Sequence, residues 1–454
     1  MKQETGFYKS VLEIAVPVTL QSLLQSSFSV IDQIMIGRLG SASIAGIGLA
    51  GKFSSIYSVL LAAVATAAGI MIAQYAGRRD SREVSRSFWV NLCMAGALAG
   101  FFTVLCVLFP ELIMGIYTKD GAVRQTAASY LRILAASYLP MAVSQILSAL
   151  LRCLGGAWIP LYASISSVVL NTGLNYLLIF GKAGFPRMGV QGAGAATAVS
   201  QMFGCLMTVW LFFRYYRKQE MKLEFVLRLG RAAGIQYAGI LLPLLACEFF
   251  WSLGENVYAS IYGHLGTMPC AAMTLTVPVQ TLVIGSLSGL SQAAGVLIGK
   301  TLGSGDHDRA YWESKKLMQY GFAGSVLLSV ILLLVSPYYV QIYQVEPAVR
   351  MLAGQILAAY ALISPVKVQN MILGGGIIRS GGRTRYIMWV DLIGTWCFGV
   401  PLGLLSAFVW GLSIPYVYLI LSLEECVRYA ITFVLFRKRS WMCSLSGEGE
   451  EHYA

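Results

Sequence analysis

Charge is scarce in this chain. Of its 454 residues 12% are Asp, Glu, Lys or Arg and 57% are hydrophobic, whereas a soluble domain carries about 25% charge. Too little polar sequence remains to cover a water-soluble core, which excludes an ordinary globular enzyme or regulator. Histidine is scarcer still. His264, His307 and His452 all fall in loops or the tail, and no nucleophile–base pair stands out, so an enzyme is not expected. The nine cysteines form no CxxC pair. Most lie in apolar runs and read as small core residues rather than disulfides or metal ligands. No cofactor and no metal are expected. A nucleotide loop is missing too. GVLIGKT at 295–301 has three residues between its glycines instead of four, and it ends an apolar run instead of following a strand. An ion gradient is therefore the expected driving force.

What the chain has is length in apolar runs. Twelve recur, roughly at 13–37, 44–74, 88–109, 128–151, 158–181, 191–213, 235–263, 270–299, 317–336, 351–378, 385–408 and 414–436. Each is long enough to cross a bilayer, which needs about 20 residues. The expectation is an all-α polytopic membrane protein with twelve transmembrane helices. The start MKQETGFYKSVLEIAVP has no small-residue cleavage site before a short apolar core, and reads as an uncleaved first helix with a polar lead-in. No connecting loop is long enough for a folded domain.

Lysine and arginine set the orientation. With the N-terminus inside, 23 basic residues fall in inside segments and 6 outside. Both termini are thus expected in the cytoplasm, with the plasma (inner) membrane as location. The net charge of +12 is accounted for by topology, so nucleic acid is not an expected partner.

The chain also repeats itself. Shifted by 226 residues, Pro17 falls on Pro243, Gly37 on Gly263, Leu39 on Leu265 and Gly40 on Gly266. Gly69 falls on Gly295, Gly77 on Gly303 and Asp80 on Asp306. Each half holds six spans, so both halves point the same way. The expected organisation is an N-lobe at 1–213, a basic linker at 214–234, a C-lobe at 235–440 and a tail at 441–454. The tail GEGEEHYA reads as a disordered end.

Charged residues inside the spans are Asp32, Lys52, Arg132, Glu248, Glu255, Lys367, Asp391, Glu424, Glu425 and Arg428. Such residues mark bundle interiors or cavities by default, or else sit at span ends and snorkel. Arg132, Glu424, Glu425 and Arg428 read as end residues. Asp32 lies eight residues before the Gly40 turn, deep in its span, and reads as functional. Pro17 precedes Asp32, and Pro243 precedes Glu248 and Glu255. A proline-dependent bend linked to protonation would couple an ion to shape, and a purely structural kink fits equally. Glu248 and Glu255 are seven apart and share a helix face. CEFFWSLGENVY surrounds them with aromatics, Trp251 among them, which suits either an organic cation or simple packing. Asn171 and Asn175 share one face of span five, and Thr197 lies on span six. Interhelical hydrogen bonding alone would also explain these three.

With these residues assembled, the chain resembles the MATE family (multidrug and toxic compound extrusion) along nearly its whole length. IDQIMIGRLGSASIAGI looks like the first-helix signature, LNTGLNYLLIFGKAGFPRMGVQGAGAATAVSQ like that of helices five and six, and PLLACEFFWSLG like the seventh-helix proline followed by an acid. The resemblance implies two six-helix bundles and cation-coupled antiport that exports amphipathic, often cationic organic compounds by alternating access. It implies that Asp32 binds the coupling ion, H⁺ in the favoured reading and Na⁺ in the other, with Asn171 and Thr197 in the same site. Asn175 stands where some members carry a second Asp, which weakens a Na⁺ site. It also implies that Glu248 is the C-lobe acid. Lys367 replaces the tenth-helix acid of another branch, and is expected to pair with Glu248, Glu255 or Asp391. Glu248, Trp251, Glu255, Lys367 and Asp391 are the C-lobe substrate candidates. A small organic substrate, a coupling cation and the bilayer are the expected partners of a monomer. The alternative is a lipid-linked oligosaccharide flippase of the same superfamily, which Lys52 and Lys367 would suit.

Overall fold

The computed structural model describes residues 2–37, 39–217, 223–227, 230–343 and 345–445. Among them the chain is helical, with no strand. The spanning helices are α1 (Lys2–Gly37), α2 (Ser41–Gly77), α3 (Ser81–Leu108), α4 (Gly121–Cys153), α5 (Trp158–Phe180) and α6 (Val190–Tyr216). Then come α7 (Arg231–His264), α8 (Thr267–Gly303), α9 (His307–Gln341), α10 (Pro347–Ile378), α11 (Thr384–Val409) and α12. Eleven of these are long and apolar enough to cross a membrane. The twelfth, α12, is broken at Leu423 into Ile414–Ser422 and Glu424–Arg437, so neither piece reaches spanning length alone. A short helix, Pro110–Tyr117, links α3 to α4. The residues of GEGEEHYA lie outside the described part.

The chain divides into two compact units. One comprises Leu20–Ile72 and Asp80–Arg228, and is called the N-half unit here. The other comprises Met1–Thr19, Ala73–Arg79 and Leu229–Ala454, the C-half unit. Helix α1 thus changes unit two residues after Pro17, which lies within the continuous helix.

In the N-half unit, α2, α3 and α4 meet around Tyr57, Phe102 and Tyr138, all at most 6% exposed. The Tyr57 and Tyr138 rings lie 4.5 Å apart. Their hydroxyls are satisfied, as buried tyrosines require: Tyr57 donates to the Tyr138 carbonyl at 2.6 Å and Tyr138 shares a 2.8 Å bond with Ser54. Helices α5 and α6 approach closely through small residues, the usual means of packing where lipid supplies no hydrophobic drive. Ser167 Oγ donates to the Ser200 carbonyl at 2.7 Å there.

In the C-half unit, Tyr258, Tyr360 and Tyr418 form the core with α8, α9 and α10. Gln280 anchors two of them: Tyr360 donates to its carbonyl at 3.0 Å and Tyr418 to its Oε1 at 3.2 Å. The repeated residues find their reasons in the local geometry. Gly40 and Gly266 turn the chain between helices at φ +91° and +119°, a region that L side chains avoid. Asp80 and Asp306 cap α3 and α9, accepting from Glu83 N at 3.1 Å and Arg309 N at 3.0 Å. Gly77 lies against the backbone of Lys300, and Gly303 against that of Gln74. The last turn of α2 and that of α8 therefore cross in bare backbone contact.

The segment after α12 closes over this crossing. Trp441 is fully buried and stacks on Phe436 at 5.9 Å. Gln74 Nε2 donates to the Ser380 carbonyl at 2.6 Å, while Gln74 Oε1 accepts from Leu445 N at 2.8 Å. Gln236 Nε2 donates to the Leu445 carbonyl at 2.6 Å.

Helices α10 and α11 contain wide π-helical stretches, Met371–Ile378, Ile393–Gly399 and Leu405–Val409. Such stretches gather at functional sites. Here they make room for charge. A Cβ at Gly394 would press on the Arg428 side chain (3.0 Å from Cδ), and one at Gly399 on Glu424 (2.9 Å from Cδ).

Candidate functional sites

The N-half unit gathers a small polar site around Asp32. Asn175 Nδ2 donates to Asp32 Oδ1 at 2.6 Å and to Asn171 Oδ1 at 3.1 Å. Asn175 is 1% exposed, so this amide is committed to the carboxylate. Its carbonyl Oδ1 is buried with no partner among the described residues. Thr197 does not bond Asp32; its hydroxyl donates to the Ala193 carbonyl at 3.1 Å. It meets the site through Tyr130 of α4, which is 7% exposed, is directed to Thr197 and feels the Asp32 carboxylate. Tyr130 is a member that sequence reading missed. An aromatic residue in a helix carries no signal that separates it from packing.

The C-half unit holds a cavity of about 360 Å³. Glu248, Asp391 and Glu425 line it opposite Lys367, Arg379 and Arg428, with Trp251 and Met371 among the apolar walls. Arg379 Nη1 lies 3.7 Å from Glu248 and Nη2 3.9 Å from Asp391. Arg428 lies 3.8 Å from Asp391 and 3.5 Å from Glu424. Cys247 Sγ donates to Asp391 Oδ2 at 2.7 Å and accepts from Arg379 Nη2 at 3.3 Å. Asn370 Nδ2 donates to Glu425 Oε2 at 2.8 Å. Tyr258 donates to Glu424, and Arg428 donates to Thr395.

Four of the five C-lobe candidates, Glu248, Trp251, Lys367 and Asp391, therefore share one cavity. Glu255 is exposed and does not line it. It shares a helix face with Glu248, two turns along the axis. Three expectations are corrected. Lys367 pairs with Glu425 at 3.9 Å instead of Glu248, Glu255 or Asp391. Glu424, Glu425 and Arg428 are not snorkelling end residues but are 5%, 9% and 8% exposed, in the interior of the unit. Arg379 reads from the sequence as a loop charge, yet its side chain is 16% exposed and reaches back into the cavity. The one sequence sign of this network is the four-residue spacing of Glu424 and Arg428, which places them on one helix face. Arg132, by contrast, is exposed, twelve residues into the helix that begins at Gly121. Pro243, like Pro17, sits inside a continuous helix.

Comparison with known proteins adds context. A family model described as MatE matches residues 17–177 and 243–405. Its two blocks start at the paired prolines. The chain is 21% identical to an uncharacterized transporter, YisQ, of Bacillus subtilis, over 95% of each chain. It is 23% identical to a probable multidrug resistance protein, NorM, of Thermotoga maritima, over 95% of this chain and 93% of the relative. A solved structure, the outward-facing conformation of a multidrug resistance transporter of the same family, superposes with TM-score 0.87 at 17% identity, over 95% of each chain.

Proposed function

Because the chain belongs to the MatE family, we propose that it is a cation-coupled antiporter that exports amphipathic, often cationic organic compounds by alternating access. The carrying observation is the contrast between the two sites. Asp32 has an amide partner, Asn175, and no basic partner among the described residues. Each carboxylate lining the C-half cavity has a Lys or Arg within 4.0 Å. A carboxylate inside a span is costly and marks a working group. One held only by a neutral amide is free to exchange a proton without breaking an ion pair. In this reading Asp32 is the coupling group, held by Asn175 with Asn171 beside it, while Thr197 and Tyr130 form the wall behind. H⁺ is the favoured ion. A Na⁺ ion needs several oxygen ligands, and Asp32 supplies the one carboxylate there. The orphan Asn175 Oδ1 is an acceptor that either a proton donor or Na⁺ would satisfy. A ligand moves the two conformations only through its differential affinity for them. Protonation from outside and release inside would supply that difference, with α1 bending near Pro17.

Relatives named for multidrug resistance support the exporter. The reading also includes the inner membrane, cytoplasmic termini, a monomer and division into two six-helix lobes. The test uses purified protein in liposomes, with an imposed H⁺ gradient and then a Na⁺ gradient. Efflux of ethidium is followed for wild type and Asp32→Asn. H⁺-driven efflux that Asp32→Asn abolishes supports the proposal. Na⁺-driven efflux keeps the exporter and changes the ion. No efflux under either gradient points to a lipid-linked substrate and the flippase alternative.

A further inference from the structure

The chain does not trail away after α12. Trp441 is fully buried and Met442 is 3% exposed, and two glycines just past α10 clear a bed for this segment. Gly381 packs on the Trp441 carbonyl, and a Cβ at Gly382 would stand 2.9 Å from Leu445 Cδ2. Arg439 pairs with Asp308 of α9 at 3.0 Å. Gln236 of α7 donates to the Leu445 carbonyl at 2.6 Å and accepts from Tyr75 of α2 at 3.5 Å. Gln74 is the centre of the arrangement and is 1% exposed. Its Nε2 donates to the Ser380 carbonyl at 2.6 Å and to the Cys443 carbonyl at 3.3 Å, and its Oε1 accepts from Leu445 N at 2.8 Å. All of these Gln74 bonds join neutral groups. Breaking one strands no charge, and water at a helix end replaces it at small net cost.

Helix α2 is continuous from Ser41 to Gly77, yet it is divided. Its residues up to Ile72 belong to the N-half unit, and Ala73–Arg79 belong to the C-half unit. Alternating access moves one unit against the other, and a helix fastened to both must bend or let go. Helix α1 has Pro17 two residues before its own division. Helix α2 has no proline, the usual cause of a sharp kink, so release is the easier course. Bending at Gly69, three residues before the division, is the competing one. We infer that Arg439–Leu445 is a latch. It holds the last turn of α2 on the C-half unit in this conformation, and Gln74 leaves it when the cytoplasmic side opens to take up substrate. The inference rests on the transporter reading with cytoplasmic termini and adds a gating step to it.

A reversible staple tests the latch on one protein. Arg78 is exposed and stands one turn after Gln74, whose carbonyl accepts from the Arg78 N–H at 3.2 Å. Cys443 is native to the segment. Arg78→Cys is bridged to Cys443 with a bis-maleimide that contains a reducible disulfide, and mass spectrometry of the joined peptides confirms the bridge. Ethidium efflux from liposomes is read before and after reduction. The bridged form should lose at least about tenfold in rate, as expected of an equilibrium held on one side, and recover on reduction. Arg78→Cys/Cys443→Ser, treated alike, should keep its rate. Equal efflux in the bridged and reduced forms overturns the latch, leaves the exporter standing and means that α2 bends instead. No efflux in wild type sinks the exporter and the latch with it. Gln74→Leu reads the same step without a bridge. It removes the bonds at similar volume, so the closed state loses ground and the half-saturating ethidium concentration should fall at least about threefold. A merely structural clasp would change thermal stability alone, so an unchanged half-saturating concentration also overturns the inference.

Discussion

Replacing Arg428 with Met should destabilise the C-half unit by about 3–5 kcal/mol, the cost of leaving buried charge unpaired. Arg428 is 8% exposed and lies 3.5 Å from Glu424 and 3.8 Å from Asp391. At an effective dielectric of about 20, each attraction amounts to roughly 4–5 kcal/mol. The desolvation of the guanidinium offsets a large part of that sum. Met fills much of the same volume, so the cavity left behind is small and the uncompensated carboxylates dominate. Thermal unfolding of the purified protein, followed by reaction of the buried Cys247 thiol with a maleimide dye, reads the effect. A fall of roughly 6–20 °C is expected if each kcal/mol shifts the midpoint by about 2–4 °C. Adding Glu424→Gln to Arg428→Met should recover part of the loss, because it removes one of the stranded charges. The recovery is a coupling of about 0.5–3 kcal/mol between neighbours. If Arg428→Met melts with wild type, or if Glu424→Gln adds its own loss in full, the ion network does not hold this unit together.

Trp441→Ala should cost about 3–5 kcal/mol, since Trp441 is fully buried and stacked on Phe436; a melting curve within a degree of wild type would contradict it. Gly303→Ala should cost about 1–3 kcal/mol, because its Cβ would come within 2.6 Å of the Gln74 carbonyl carbon and no rotamer moves backbone aside. Gly51→Ala, with nothing within 4 Å, is the control and should melt at or slightly above wild type. Asn175→Leu should leave the fold standing yet slow gradient-driven ethidium efflux at least about tenfold, the value of one hydrogen bond to a charged group; unchanged initial rates would remove Asn175 from the coupling site.

The spanning helices were legible because hydropathy and length act locally. The repeat was legible because turns, caps and close crossings demand particular residues. Gly40 and Gly266 need positive φ, Asp80 and Asp306 cap helices, and each demand leaves a mark at its own position. The Asp32 site emerged through a resemblance, since Asp32 and Asn175 are 143 residues apart and no spacing rule joins them. The interior charges of α12 were misread for a related reason. Glu425 is satisfied by Lys367 and Asn370 of α10, and Arg428 by Asp391 and Thr395 of α11. Partners on other helices are invisible to a window that slides along one. Without them, four charges in fourteen residues (Glu424–Arg437) read as the end of a span. The glycines of α11 were the missed clue, since Gly394 and Gly399 vacate the space that Arg428 and Glu424 occupy.

The crossing of α2 and α8 has a symmetry of its own. Gly77 meets Lys300 and Gly303 meets Gln74, and both pairs are one contact read twice, because each residue is 226 positions from its counterpart. Residue i touching j while j touches i is the pattern of an isologous interface, here made within one chain. Gln74 and Lys300 differ in kind, while the glycines that face them are alike, so the closeness of the crossing depends on the glycine of each pair and not on the side chain it meets.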